Sequence, residues 1–264
     1  MSTRILLAAI VLHVALLASG TRADTNQQST PSPDDPPALT HSDKVRPSQD
    51  TGRPPALGPS PAKVNVIVFS DFQCPVCRRM VNAVHQIPEE WPGDVRVEFR
   101  PIALPLHRNA ENAAVASLAA QRQGKFWQMH DILFANQGTL DPDGLAAHAR
   151  EAGLDEKRYA KDYADPELRR RVQEEGKVAT RLGATGTPTF LMNGKVVIGW
   201  GSWGAFRWQV EQELNAMNAL LNQGTRLGAA HAIRAQANAK DEAAFAAYKE
   251  TILDPPAKTG AKKK

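Results

Sequence analysis

Cysteine is the scarcest chemically useful residue in this 264-residue chain, which has only Cys74 and Cys77. Two cysteines exclude a small scaffold stapled by disulfides, and without a second pair they exclude a four-cysteine zinc centre. Staples are not needed either. With 42% hydrophobic and 23% charged residues, a chain of this length can bury a core of its own. Long apolar runs are also missing: residues 5–17 fall short of the ~20 residues that cross a bilayer comfortably. Charge of one sign is in small excess, +4 net, and lysines gather in the final "KTGAKKK". A solvated tail accounts for that excess, so no nucleic-acid partner is expected.

What is present begins with "MSTRILLAAIVLHVALLASGTRA", residues 1–23. An early arginine, a short apolar run and then small residues have the layout of a secretory signal peptide, with cleavage expected after Ala23 or Gly20. An uncleaved anchor is the alternative, and His13 inside the run weighs against it. Export to the periplasm or another extracytoplasmic space would put the cysteines where disulfide chemistry is normal. Residues 24–61 carry nine of the nineteen prolines and read as a disordered, partly extended linker.

Residues 62–222 read as a domain. The β-branched run "VNVIVF" suits a buried strand, and "DVRVEFRPIAL" alternates as a second. Between them, "CRRMVNAVHQI" predicts a helix from Cys74 to just before Pro88. Residues 109–182 hold four or five helical segments punctuated by glycine and Asx residues. In "PTFLMNGKVVIGW", Asn193-Gly194 marks a hairpin, and a helix over 205–222 closes the domain. Strand, helix, strand, helical insert, hairpin and helix imply a mixed α/β sheet covered by helices. Residues 223–264 add a helical pattern and the basic tail. Phe245, Tyr248 and Ile252 recur at helical spacing, which favours packing on something.

Cys74 and Cys77 at a helix start suit a redox dithiol. The spacing lets one sulfur reach the other, and the first-turn N–H groups stabilise a thiolate at Cys74. Cys74 is then the exposed nucleophile and Cys77 the resolving thiol one turn inside. A metal site is the weaker reading, because neither His85 nor His107 has ligand spacing to the cysteines. No metal and no cofactor are called for.

Together, "FSDFQCPVC", "HRNAENAA", "GKFWQMHDILF" and "LGATGTPTFLMNG" resemble the thioredoxin superfamily, and more closely its exported DsbA-like thiol:disulfide oxidoreductases. The resemblance spans roughly residues 64 to 215. It implies a thioredoxin fold with a helical insertion, and a cis Thr187-Pro188 bond beside the cysteines. Thr187 and Pro188 would then present backbone to an extended substrate peptide by strand addition. Pro75, Val76 and Asp71 are the modulators that it implies.

Two positions depart from that pattern. Many relatives carry an acid six residues before the first cysteine, where this chain has Val68; Asp71 is the nearest substitute, expected as a solvated loop carboxylate. DsbA has histidine before its second cysteine, where this chain has Val76, so Cys74 should be less acidic than the DsbA thiol at about 3.5. Arg78 and Arg79 are expected to point outward. His107 is expected at the surface and Asn109 as a helix cap. Phe126, Trp127, Met129 and His130 are expected to form the insert's own core, with Trp200 and Trp203 packing under the sheet. The resulting reading is an exported oxidant whose partners are cysteine-containing secreted or envelope proteins and a redox partner encoded elsewhere. A disulfide reductase or isomerase, or a redox-inactive thioredoxin-fold binding module, are the alternatives.

Overall fold

The computed structural model describes residues 53–254. The residues read as a leader, most of the proline-rich segment and the basic tail lie outside them. One five-stranded sheet has the order β1-β3-β2-β4-β5, formed by β1 (Ala56–Leu57), β2 (Val64–Ser70), β3 (Val95–Pro101), β4 (Thr189–Met192) and β5 (Lys195–Ile198). β2 and β3 run parallel, and the other neighbours are antiparallel. This is the mixed sheet expected from the sequence.

The central strand is apolar on both faces because both are covered. Val64, Val66 and Val68 enter one core, while Ile67 and Phe69 enter another. On β3, Val95, Val97 and Phe99 share the first core, so its alternation reflects one strongly apolar face. The second face is more polar. There Arg100 lies between Glu98 at 2.7 Å and Glu175 at 3.2 Å.

After β2 come α1 (Pro75–Arg79) and α2 (Val81–Glu90), and after β3 the helices α3 (Ala110–Gln121), α4 (Phe126–Ala135), α5 (Pro142–Glu151), α6 (Glu156–Tyr163) and α7 (Pro166–Arg181). Asp141, Asp155 and Asp165 cap the last three, each side chain accepting a first-turn N–H. The alanines of α3 let it pack on α4, α5, α6 and α7 at once, and nearly all its residues are buried. The insert was expected to form a core of its own from Phe126, Trp127, Met129 and His130, but these residues share the core of the sheet. Phe126, Trp127, His130 and Phe134 pack in one aromatic cluster with Phe99 of β3, and Phe72 joins it.

Two other expectations are corrected. Ala56 and Leu57, inside the presumed linker, pair with Glu98 and Val97, so the ordered chain begins before residue 62. Leu57 is buried, and this burial offsets the ordering of a proline-rich segment. The predicted first helix breaks at Met80 and then runs through Pro88 to Glu90. Pro88 lies in the last turn of α2, where its missing N–H forfeits one bond only.

The hairpin turn is as expected: Asn193 and Gly194 both have positive φ, 44° and 89°. Asn193 is also buried and structural, accepting from Asn65 N at 3.0 Å and donating to Lys63 O at 3.1 Å. α8 (Trp203–Asn222), α9 (Leu227–Asn238), α10 (Glu242–Tyr248) and a π-helical turn (Lys249–Leu253) complete the described residues. Trp200 and Trp203 pack on Phe206, as expected of packing residues.

The C-terminal extension is part of the fold. Tyr248 and Ala235 are buried with Ile67, Phe69 and Leu191, and Phe245 and Ile252 pack against them. A buried polar knot fixes α9: Glu213 of α8 accepts from Arg234 at 2.8 Å and from Asn238 at 3.0 Å, and Asn238 also donates to Asn193 O at 3.1 Å. Removing the balancing charge strands a carboxylate that is only 3% exposed. Arg234→Met should therefore lower stability by about 3 kcal/mol, read by urea denaturation.

Candidate active site

Cys74 is the N-cap of α1, with extended backbone (φ −77°, ψ 122°), and Pro75 follows at the first helical position, where a missing N–H costs nothing. Both cysteines are free thiols. Cys77 is wholly buried and Cys74 is 5% exposed. The nucleophile expected to be exposed is instead buried, because the loop before β4 covers it: Cys74 Sγ lies 3.5 Å from Thr187 O. The Thr187-Pro188 peptide bond is cis.

The two thiols are driven apart. Cys74 is lowered to about 5, first by the hydrogen bond from the Cys77 thiol, with Thr187 and the N–H groups of Cys77 and Val76 adding to it against the cost of burial. Burial, and then its bond to Cys74, pushes Cys77 far above the ordinary thiol range. One proton is held between two sulfurs, and it stays on the inner one. Two buried hydroxyls flank the pair, Thr187 Oγ1 by Cys74 and Ser70 Oγ by Cys77. Neither completes a well-formed hydrogen bond as placed.

Asp71 is not the solvated carboxylate that its loop position suggested. It is fully buried, accepting from Gln73 N at 2.7 Å, Leu104 N at 2.8 Å and His107 Nδ1 at 2.9 Å. His107, expected at the surface, is drawn in by this bond, its side chain 14% exposed. Asn109 occupies the N-cap of α3, yet its side chain makes no cap bond; its N–H donates to Gln73 Oε1 at 2.8 Å. Gln137, which the sequence did not single out, donates from Nε2 to the carbonyls of Phe72 at 2.8 Å and Cys74 at 2.9 Å.

The family model for thioredoxin matches residues 50–212. The chain belongs to the thioredoxin family. Among solved structures, a thioredoxin-like oxidoreductase from Silicibacter pomeroyi is 31% identical, covering 62% of this chain and 93% of that one, with a TM-score of 0.57. The thiol-disulfide exchange protein alpha-DsbA2 from Wolbachia pipientis shares the fold at 20% identity and a TM-score of 0.55, over 62% and 88% of the two chains. The DsbA-like fold expected from the sequence is therefore the one observed. Among curated proteins, a Na(+)/H(+) antiporter NhaA 1 from Salinispora arenicola is 37% identical over 147 residues, 55% of this chain and 22% of that protein. This thioredoxin-family chain thus spans about a fifth of the length of the curated relatives it matches, and no helix among its described residues is long and apolar enough to cross a membrane.

Within this thioredoxin fold the sequence-selected residues divide clearly. Cys74, Cys77, Thr187 and Pro188 come together, with Pro75 and Val76 in the first turn of α1. Val68 is buried in β2 between Phe99 and Phe190 of the neighbouring strands, with no carboxylate in its place. Arg79 points to Trp200 O at 3.3 Å, as an outward pairing would require.

Among the described residues one group could hold a metal, His85, His130 and Asp131, whose ligand atoms lie within 4.8 Å of one another. His85 and His130 both bond Asp131 Oδ1, at 2.8 and 2.7 Å. Burial pulls His130 down, so it is neutral and donates from Nδ1. Burial works to raise Asp131, but the bonds from His130 and His85 outweigh it and hold the carboxyl well below its usual range. A metal on His130 Nδ1 would move the ring hydrogen to Nε2, which is buried without a partner. The donor set suits a hydrogen-bonded brace between α2 and α4 better than a metal.

Two outcomes follow. In the reduced protein the alkylation rate at Cys74 should rise with pH through about 5 and level off by neutrality, while Cys77 stays unreactive; mass mapping after iodoacetamide reads both. A depressed thiol stabilises the reduced fold fully above the unfolded thiol value of about 8.5 and loses that contribution as pH falls towards 5. Asp71→Ala would strand the buried N–H groups of Gln73 and Leu104, lowering stability by about 2–4 kcal/mol in denaturant titrations.

Proposed function

We propose that the chain is an exported protein thiol:disulfide oxidoreductase that oxidises cysteines of secreted or envelope proteins. The observation that carries this reading is the asymmetry of the dithiol, an acidic Cys74 at the N-cap of α1 over a wholly buried Cys77 that resists ionisation. In the oxidised enzyme a substrate thiolate attacks Cys74 Sγ. The Cys74–Cys77 bond breaks, Cys77 leaves and takes up a proton, and a mixed disulfide forms. A second substrate thiolate then attacks the substrate sulfur, Cys74 leaves as a thiolate, and the substrate carries the new disulfide while the enzyme is left reduced. A thiol of low pKa is a good leaving group, so the second step is fast. Reoxidation falls to a separate redox partner.

The reducing direction asks for the opposite property. There Cys77 must lose its proton to resolve the mixed disulfide, and its burial opposes that loss. Val68 replaces the acid, and the Asp71 carboxylate is committed to two backbone N–H groups and His107. Thr187, whose carbonyl lies at the Cys74 sulfur, and Pro188 are the substrate-facing backbone in this reading, where an extended peptide would add as a strand. Export rests on the leader-like residues 1–23.

The test is trapping combined with direction. Cys77→Ala should accumulate mixed disulfides with substrate proteins on non-reducing gels, and Cys74→Ala should not. The parent protein should speed oxidative refolding of reduced RNase more than it speeds reduction of insulin. Equal trapping by both variants would remove the assigned roles, and a preference for insulin would reverse the direction.

A further inference from the structure

One side chain of the helical insert hydrogen-bonds two carbonyls of the active-site loop and has no part in the exchange mechanism. Gln137 follows α4, and its Nε2 gives one hydrogen to Phe72 O at 2.8 Å and the other to Cys74 O at 2.9 Å. Both partners are acceptors only, so the amide orientation is fixed by its neighbours. The Cys74 carbonyl is also the one that receives the first bond of α1, from Arg78 N at 3.3 Å. A bond to that carbonyl therefore acts on the peptide plane from which the α1 turn starts.

We infer that Gln137 is a positioning residue of the exchange site, holding the Phe72–Cys74 segment from the insert so that the first N–H groups of α1 face the Cys74 sulfur. It touches neither sulfur. Its effect passes through the backbone: two anchored carbonyls fix the loop between β2 and α1, and a fixed loop keeps the N–H groups of Val76 and Cys77 aimed at a charge they must stabilise. The loop's other fastenings include Asp71 and the Asn109 N–H bond to Gln73. Gln137 fastens the carbonyls of Phe72 and Cys74, on either side of Gln73, and it comes from the helical insert.

The inference rests on the thiol–disulfide reading of the site, and one experiment separates the two. Gln137→Met keeps the volume and removes both donors, and Gln137→Ala removes them with less demand on packing. In full-length reduced protein, the Cys74 pKa is read from the pH profile of alkylation, and the equilibrium constant for oxidation by glutathione disulfide is read alongside it. With Gln137 in place the profile should turn near pH 5. In either variant it should move up by about half to one pH unit, a three- to tenfold change. The glutathione equilibrium should shift the same way, making the protein a weaker oxidant because its reduced form is less stabilised. Melting temperatures report whether the change is merely structural. A fall in melting temperature with an unmoved profile in both variants overturns the inference. A parent profile that turns near the ordinary thiol value of about 8.5 instead overturns the functional reading itself.

Discussion

A carboxylate shut away from water must be given donors by the chain around it, and the site depends on how that demand is met at Asp71. Its three donors come from Gln73, two residues on, and from Leu104 and His107 in the segment after β3. Meeting them folds the end of β2 over into the α1 turn and ties that turn to the start of the insert. The carbonyl of Asp71 then receives Cys74 N at 3.0 Å, so the residue that anchors the loop also places Cys74. An unpaired charge there would cost more than the loop could regain elsewhere, which leaves the segment little freedom to adopt another course.

Around this anchor the insert and the sheet act as one body. Phe72 leaves the loop to join Phe99, Phe126, His130 and Phe134, and the His85–Asp131–His130 brace joins α2 to α4 at the edge of the same cluster. The opposite face of the sheet is closed by α7 and by the C-terminal helices, whose Tyr248 and Ala235 cover Ile67 and Phe69. Both faces of β2 are thereby dry, which is why its sequence is apolar without alternation. A strand held this firmly gives the cysteine loop a rigid base.

The sequence made the strands, the helical insert, the hairpin and the cysteine pair legible because each has a local signature. Strand alternation, Asx caps, Asn193-Gly194 and the two-residue cysteine spacing are all read within a dozen residues. Thr187 and Pro188 were legible only through the family motif. What was missed depends on partners far along the chain. Asp71 looked solvated because its donors Leu104 and His107 lie 33 and 36 residues away. Gln137 carried no signal at all, since a glutamine after a helix is ordinary and its partners are backbone carbonyls. The break at Met80 has no glycine or proline to announce it. The early strand Ala56–Leu57 was hidden by the prolines around it, although a two-residue edge strand asks for little propensity.

The acidity of Cys74 shows how one sequence departure is made good by geometry. With Val76 in place of a histidine, the first turn of α1 offers no charged partner, and Arg79 is drawn to Trp200. The leading contribution comes instead from Cys77, whose proton the apolar surroundings refuse to release. The bond between the two sulfurs thus lowers the outer thiol and adds to the burial that raises the inner one. It operates while both are thiols facing each other. Once Cys74 is tied to another sulfur it can no longer hold a negative charge, so Cys77 loses that partner and keeps the burial that opposes its ionisation. The pair is thus built so that Cys74 holds the negative charge and Cys77 holds the proton.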